Sequence, residues 1–273
     1  MPEGPEIRIA ADRLHDVLAG RIIERAEFTS PELQAAASRI TGQQVERVTS
    51  HGKAMLTEFG HGETLYSHNQ LYGVWHVTRR GQTPRTNRQL RVGLHTAHHS
   101  ALLYSATDIE LWPTACIADH PFLKKLGPDV LDRSLSFQAV TRRLLEQRFH
   151  RKSLGTLYLN QAFIAGIGNY LRSEILFHAK VSPNARPCEL GRHALQRLAR
   201  ATLTISRRSY RTRGITVTKT IAKKLAMRGS GFESYRFAVF GRKAEPCIQC
   251  ATPIQRLEVA SRRLYWCPTC QAE

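Results

Sequence analysis

No apolar run in this chain approaches the roughly 20 residues that a membrane-spanning helix needs. The opening, Met1-Pro2-Glu3-Gly4-Pro5-Glu6, lacks both the basic region and the apolar stretch of a secretory leader. Cysteine is sparse, six residues in all, and four of them fall into two C-x-x-C pairs. That spacing argues for a metal rather than a disulfide framework. Apolar residues are not lacking: they make up 42% of the 273 residues, which excludes a disordered chain and suffices for one large or two modest domains. A soluble intracellular protein is expected.

Acidic residues are the other shortage, 22 against 40 Lys and Arg, a net charge of +18. The deficit is local. Residues 1–140 carry 15 basic and 15 acidic side chains, residues 141–230 carry 19 and 3, and residues 231–273 carry 6 and 4. The middle segment also has the apolar spacing of folded helices. An excess this concentrated on a folded segment points to a polyanion, nucleic acid first and a membrane surface second.

The chain opens as a helix, with Pro5 suited to the first helical position and Glu6 to the positive end of the dipole. Ile7, Ala10, Ala11, Leu14, Val17 and Leu18 keep helical spacing up to Gly20. From about Arg21 to Trp112 the texture changes to short runs between turn residues: 44–50, 54–59, 64–67, 72–78, 90–95 and 101–105. This predicts an antiparallel sandwich or barrel. A linker follows at 121–131. After it come helical stretches, the first capped by Ser134, then 154–164, 169–178 and 189–205. Residues 211–230 are basic with little periodicity and read as a mobile loop. The tail, 235–273, reads as two hairpin-like pieces around the cysteine pairs.

Two motifs carry chemistry. Cys247-Ile-Gln-Cys250 and Cys267-Pro-Thr-Cys270 stand sixteen residues apart. Two residues between thiolates let both sulfurs of a tight turn reach one ion, and two such turns close a tetrahedral site. Zinc fits best; rubredoxin-like iron has similar spacing. With four protein ligands the single ion is structural, and it folds a tail too short for its own core. Between the pairs, Ser261-Arg262-Arg263-Leu264-Tyr265 offers basic and aromatic groups to a phosphate backbone and an unstacked base. The second motif is the N-terminus. Removal of Met1 leaves Pro2 as a secondary amine, with a pKa near ~8 against ~10.4 for lysine. Such an amine attacks a sugar aldehyde carbon to give a permanently charged iminium, and Glu3 beside it is placed for general acid or base work.

Read together, Met1–Glu6, Gly166-Ile167-Gly168-Asn169-Tyr170-Leu171-Arg172 and the terminal four-cysteine tail resemble the formamidopyrimidine-DNA glycosylase and endonuclease VIII family in content, order and separation. The resemblance runs over essentially the whole chain. It implies an α+β multidomain architecture: an N-terminal antiparallel β-sandwich flanked by helices, a helix–two-turn–helix domain and a zinc-ribbon β-hairpin, with DNA in the cleft between domains. The expected boundaries are 1–120, a linker at 121–131, 132–234 and 235–273. It implies Pro2 as nucleophile at the sugar C1′, Glu3 as proton shuttle, and Lys53 as a phosphate-contacting lysine that assists catalysis. Asn169 and Arg262 become phosphate-binding residues, and Arg172, near the same helix start, joins the DNA-binding set. Gly166 and Gly168 permit close backbone approach, and the helix that Asn169 opens presents amides to a phosphate.

Ser67-His68-Asn69-Gln70-Leu71-Tyr72-Gly73 resembles the endonuclease VIII branch, where a Gln-Leu-Tyr triplet enters the duplex as the damaged nucleotide is flipped out. Leu71 is then the apolar wedge, Tyr72 the stacker and Gln70 the polar partner for the orphaned base, and Glu6 lines the lesion pocket. The expected activity is a bifunctional glycosylase and AP lyase of base excision repair, preferring oxidised pyrimidines, with Pro2 forming a Schiff base before β- and δ-elimination. The expected partner is damaged duplex DNA, and the protein is expected to be monomeric in the bacterial cytosol and nucleoid. The alternatives are a purine-lesion enzyme of the same family and a non-enzymatic zinc-ribbon protein that binds nucleic acid. One departure from the branch pattern is the longer, more basic 214–232 segment with Lys219, Lys223, Lys224 and Arg228.

Overall fold

The computed structural model describes residues 2–227, 229 and 231–272, so the expectations placed on Met1 and Arg228 lie outside the described residues. The chain forms two compact units, one of residues 1–2 and 6–125, the other of residues 3–5 and 126–273.

The first unit starts with α1 (Gly4–Leu18), which buries Ile7, Ala11, Leu14 and Leu18 along one stripe. Then come β1 (Arg25–Phe28), the short helices α2 (Pro31–Gln34) and α3 (Ala36–Ile40), β2 (Val45–His51), β3 (Ala54–Phe59), β4 (Glu63–His68), β5 (Val74–Arg79), β6 (Leu90–His95), β7 (His99–Tyr104) and β8 (Asp108–Pro113). They make two antiparallel sheets of four strands, β1-β6-β7-β5 and β2-β3-β4-β8. One core holds Phe28, Val92, Leu94, Ala101 and Leu103 from the first sheet with Val48, Met55, Phe59 and Leu65 from the second, which makes this the expected sandwich.

Strands β3 and β6 match the sequence reading end to end; β5 begins later, at Val74, and leaves Tyr72 in the loop before it. Two strands went unread. β1 is four residues long, and β8 ends on a proline that only an edge strand tolerates. β1 alternates but is too short to stand out, and β8 loses its alternation at Trp112-Pro113.

The second unit contains α4 (Phe137–Leu144), α5 (Leu154–Leu157), α6 (Asn169–Ala179), α7 (Arg192–Arg211), α8 (Lys219–Ala226), β9 (Gln255–Val259) and β10 (Arg262–Trp266). Several sequence expectations are corrected here. The cap of α4 is Ser136, which accepts from the Ala139 amide, while Ser134 is bonded to Asp132. The stretch 154–164 is one helical turn followed by tight turns, because the Asn160 side chain takes the Ala162 amide and diverts the backbone. The helix expected at 189–205 starts at Arg192 and continues to Arg211. The basic segment read as a loop holds α8, capped by Thr218 accepting from the Ile221 amide. Its eight residues bury only Leu225, too short a stripe to stand out in sequence. In the tail, a turn closed by the antiparallel Pro246–Pro253 bridge carries the first cysteine pair, and the two-stranded hairpin β9–β10 lies between the pairs. Its two-residue turn, Ala260-Ser261, has positive φ at both positions, 54° and 56°, as a type I′ turn requires. No helix among the described residues is long and apolar enough to cross a membrane.

Candidate active site

Glu3–Pro5 and the glycine-rich stretch meet within the second unit, Glu3 against Gly168 across 165 residues of sequence. Glu3 is buried, 3% exposed, and both its carboxylate oxygens are taken by the amides at the start of α6. Oε2 accepts from Gly168 at 2.7 Å and Leu171 at 3.2 Å, and Oε1 from Tyr170 at 2.8 Å. These are amides that a helix start leaves without internal partners, and the dipole there favours an anion. The glycines follow from this contact. A Cβ on Gly168 would lie 2.5 Å from the Glu3 carboxyl carbon. Gly166 adopts φ 95° and accepts the Gly4 amide at 2.8 Å, so the two stretches are tied by backbone as well. Pro2, half-buried, directly precedes this fixed carboxylate. Asn169 is half-buried as the first residue of α6, and Glu6 half-buried in the first turn of α1.

Arg172 was expected among the DNA contacts, and its placement corrects that. It is fully buried. Its guanidinium donates to the carbonyls of Gly155 at 2.6 Å, Arg263 at 3.2 Å, Arg262 at 3.3 Å and Val259 at 3.5 Å. Burial pulls its pKa down to about 10, partly offset by the Glu3 carboxylate. The side chain therefore pins the hairpin tip to α6, and Arg262, exposed at the start of β10, is set in place by it. Ser173 accepts the Tyr265 amide at 3.1 Å on the same helix face. Glu174, fully buried, accepts the amides of Ala238, Val239 and Phe240 and the Thr216 hydroxyl. Sequence reasoning missed Glu174; the only signal was a carboxylate in the middle of an otherwise buried helix.

The four sulfurs of Cys247, Cys250, Cys267 and Cys270 lie within 4.8 Å of one another, with Cys247–Cys270 at 3.8 Å and Cys250–Cys267 at 3.4 Å. Sulfurs at about 2.3 Å from one zinc ion in a tetrahedron stand roughly 3.8 Å apart, so the donor set fits zinc. The Gln249 and Cys270 amides point at the sulfurs of Cys247 and Cys267. Among the described residues no other group of metal-ligating side chains gathers in this way.

In the first unit, Lys53 sits half-buried on the Gly52-Lys53 turn between β2 and β3, where Gly52 at φ 60° supplies the first position of a type II′ turn. Gln70, Leu71 and Tyr72 form an exposed loop after β4, with Leu71 53% and Tyr72 68% exposed. Large apolar groups held this far out of a well-packed unit stand ready for a partner. Gln70 has φ 50°, which costs a side-chain-bearing residue about 1–2 kcal/mol.

Models of three domain families match the chain: the formamidopyrimidine-DNA glycosylase N-terminal domain over residues 1–107, the formamidopyrimidine-DNA glycosylase H2TH domain over 126–220, and a zinc finger found in the same glycosylases and in isoleucyl-tRNA synthetase over 244–272. The chain is 47% identical over 272 residues to endonuclease 8 of Pectobacterium atrosepticum, covering 100% of both, and 46% identical over 271 residues to that of Klebsiella pneumoniae subsp. pneumoniae, covering 99% of this chain and 100% of the relative. A solved Lactococcus lactis glycosylase in complex with DNA carrying N7-benzyl-Fapy-dG superposes with a TM-score of 0.83 at 23% identity over the full length of both chains, a likeness of fold. The chain belongs to the formamidopyrimidine-DNA glycosylase and endonuclease VIII family, DNA glycosylases with AP lyase activity, and to its endonuclease VIII branch.

Proposed function

We propose that this protein excises oxidised pyrimidines, thymine glycol among them, from duplex DNA and then cuts the strand through a Schiff base at Pro2. The observation that carries this reading is the Glu3 carboxylate, held by three amides directly after Pro2. A side chain so oriented delivers and accepts a proton at one fixed place, which general acid–base catalysis requires. With Met1 removed, the Pro2 nitrogen attacks C1′, the glycosidic bond breaks, and the base departs with a proton. Glu3 protonates the ring oxygen as the sugar opens to the iminium. Loss of a C2′ proton then expels the 3′ phosphate, a second elimination expels the 5′ phosphate, and water releases Pro2.

Lys53, Asn169 and Arg262 contact phosphates; Arg172 acts through Arg262, and Gln70, Leu71 and Tyr72 fill the space the flipped nucleotide leaves. Glu6 faces the lesion. One zinc ion on the four cysteines stabilises the hairpin that carries Arg262. Its chemistry is structural, with no coordination position left for a reaction. The working boundaries remain 1–120, 121–131, 132–234 and 235–273, and the protein acts as a cytoplasmic monomer. Homology to endonuclease 8 proteins and the exposed Gln70-Leu71-Tyr72 loop support the pyrimidine preference. The test compares duplexes carrying thymine glycol or 8-oxoguanine at one position. Faster release of thymine glycol, leaving a gap with phosphate at both ends, is expected. Faster release of 8-oxoguanine would assign the protein to purine lesions instead.

A further inference from the structure

Three segments of the first unit leave one sheet end together. Ala54 of β3 pairs with His68 of β4, and His68 pairs with Asp108 of β8. The Gly52-Lys53 turn before β3, the loop after β4 and Thr107 before β8 therefore emerge side by side. The loop is fastened there. The Gln70 amide donates to Nδ1 of His68 at 3.1 Å. The Thr107 hydroxyl donates to the Gln70 side-chain oxygen at 2.9 Å. The Arg88 guanidinium donates to the Tyr72 carbonyl, and the Gly73 amide to the Asn69 carbonyl at 2.7 Å. The His68 ring is itself fixed edge-on against Phe122, with centroids 5.1 Å apart. These bonds hold Gln70 in its left-handed conformation, a backbone state that persists only where the surroundings enforce it.

We propose that His68 and Thr107 are positioning residues for strand entry: they hold the 69–73 loop in its presenting shape before DNA arrives, His68 through the Gln70 amide and Thr107 through the Gln70 side chain. The proposal rests on the reading of Gln70, Leu71 and Tyr72 as the inserted triplet. A loop ordered in advance does not lose that freedom on binding, so its benefit falls on insertion more than on attachment to phosphates.

The His68 contact is also conditional on protonation. Only a neutral imidazole with its proton on Nε2 accepts at Nδ1. Burial holds the His68 pKa below the ordinary imidazole value, and the Lys53 charge from the β2–β3 turn acts in the same direction. Asp108 from β8 opposes them. Asp108 in turn accepts from the Tyr66 hydroxyl, and His120 stacks on Tyr66 at 4.0 Å between centroids. His68 is thus an acceptor at neutral pH. As the pH falls through its depressed pKa, Nδ1 gains a proton and faces the amide as a second donor, and the fastening is lost.

The test uses the zinc-loaded full chain and a duplex with an uncleavable tetrahydrofuran site flanked by 2-aminopurine, whose fluorescence reports insertion without chemistry at Pro2. Anisotropy on the same duplex reports attachment. For His68→Ala, insertion slows by about tenfold, the worth of one such hydrogen bond, with attachment little changed. His68→Asn, which offers an amide oxygen and does not titrate, restores the rate and removes the acid loss seen in the native protein. Thr107→Val slows insertion in the same way and Thr107→Ser restores it. Native-rate insertion by His68→Ala, or an acid loss that persists in His68→Asn, overturns the proposal. Leu71→Ala is the control for the underlying reading. If it gives the full fluorescence change, the triplet is not inserted and this proposal falls with it. If it abolishes the change while His68→Ala does not, only the positioning role fails.

Discussion

Glu3 and Gly168 are one device at the scale of single residues. The carboxylate occupies the space that any larger residue at 168 would claim, since an added Cβ would fall 2.5 Å from its carboxyl carbon. Gly168→Ala must push Glu3 off its three amides or distort the start of α6. The expected result is a fall in base excision of about tenfold or more, with a stability loss of about 1–3 kcal/mol in thermal unfolding. Glu3→Gln keeps the size but turns an NH2 group toward an amide donor. Excision of thymine glycol is expected to drop by about 10²–10⁴-fold, the usual worth of a positioned proton donor. Cleavage of a preformed abasic site, which skips base release, falls less; equal losses in the two assays would contradict the assigned role. The contact of Glu3 with the glycine-rich stretch was legible only through the motifs read together, since a Pro-Glu start or a G-x-G turn alone has ordinary structural uses, whereas the gathering of the four cysteines was legible from their spacing. The burial of Arg172 was not legible. A basic residue near a helix start looks like a phosphate ligand until the hairpin carbonyls that surround it are known.

Helix α6 is the element on which the second unit is organised. Its first turn holds Glu3, Arg172 holds the carbonyls of the β9–β10 turn region, Ser173 takes the Tyr265 amide, and Glu174 takes three amides from 238–240. Neighbouring groups on one rod thus tie down the N-terminus, the zinc hairpin and its approach. Arg172→Met preserves the bulk and strips the donors, leaving buried carbonyls unpaired. A loss of about 1–3 kcal/mol in thermal unfolding is expected, with weaker DNA binding by anisotropy as Arg262 loses its fixed strand. Arg172→Lys recovers little, since one ammonium cannot span the carbonyls that a planar fork reaches. Unchanged DNA affinity in a folded Arg172→Met would show that Arg262 does not depend on it. The helices expected in this unit were recognised by apolar spacing. Their ends were set by local competition that spacing does not reveal: Asn160 diverting its own backbone, Ser136 rather than Ser134 capping α4, and Thr218 starting α8 inside a basic run.

At the scale of the whole molecule, the sandwich of the first unit and the helices and hairpin of the second each gather residues that the sequence carries far apart. The sandwich was anticipated from short runs between turns, and its two unread strands are β1, which alternates over only four residues, and β8, whose alternation breaks at Trp112-Pro113. The metal site was legible from cysteine spacing alone, because four thiolates on two tight turns converge on one ion, while the hairpin between them came from the family resemblance. Removing the metal with a chelator is expected to unfold 244–272 and abolish tight DNA binding, while the sandwich of the first unit, with its own core, stays folded by circular dichroism. Retention of the hairpin after complete metal loss would contradict the structural role of the four cysteines.

The central claim is that the amine of Pro2 is the nucleophile. It is tested most directly by borohydride reduction of the protein mixed with a thymine glycol duplex, followed by peptide mapping of the covalent adduct. A reduced cross-link carried on Pro2, formed only by chains that have lost Met1, is the predicted result. An adduct on a lysine, or no adduct while excision proceeds, would contradict it.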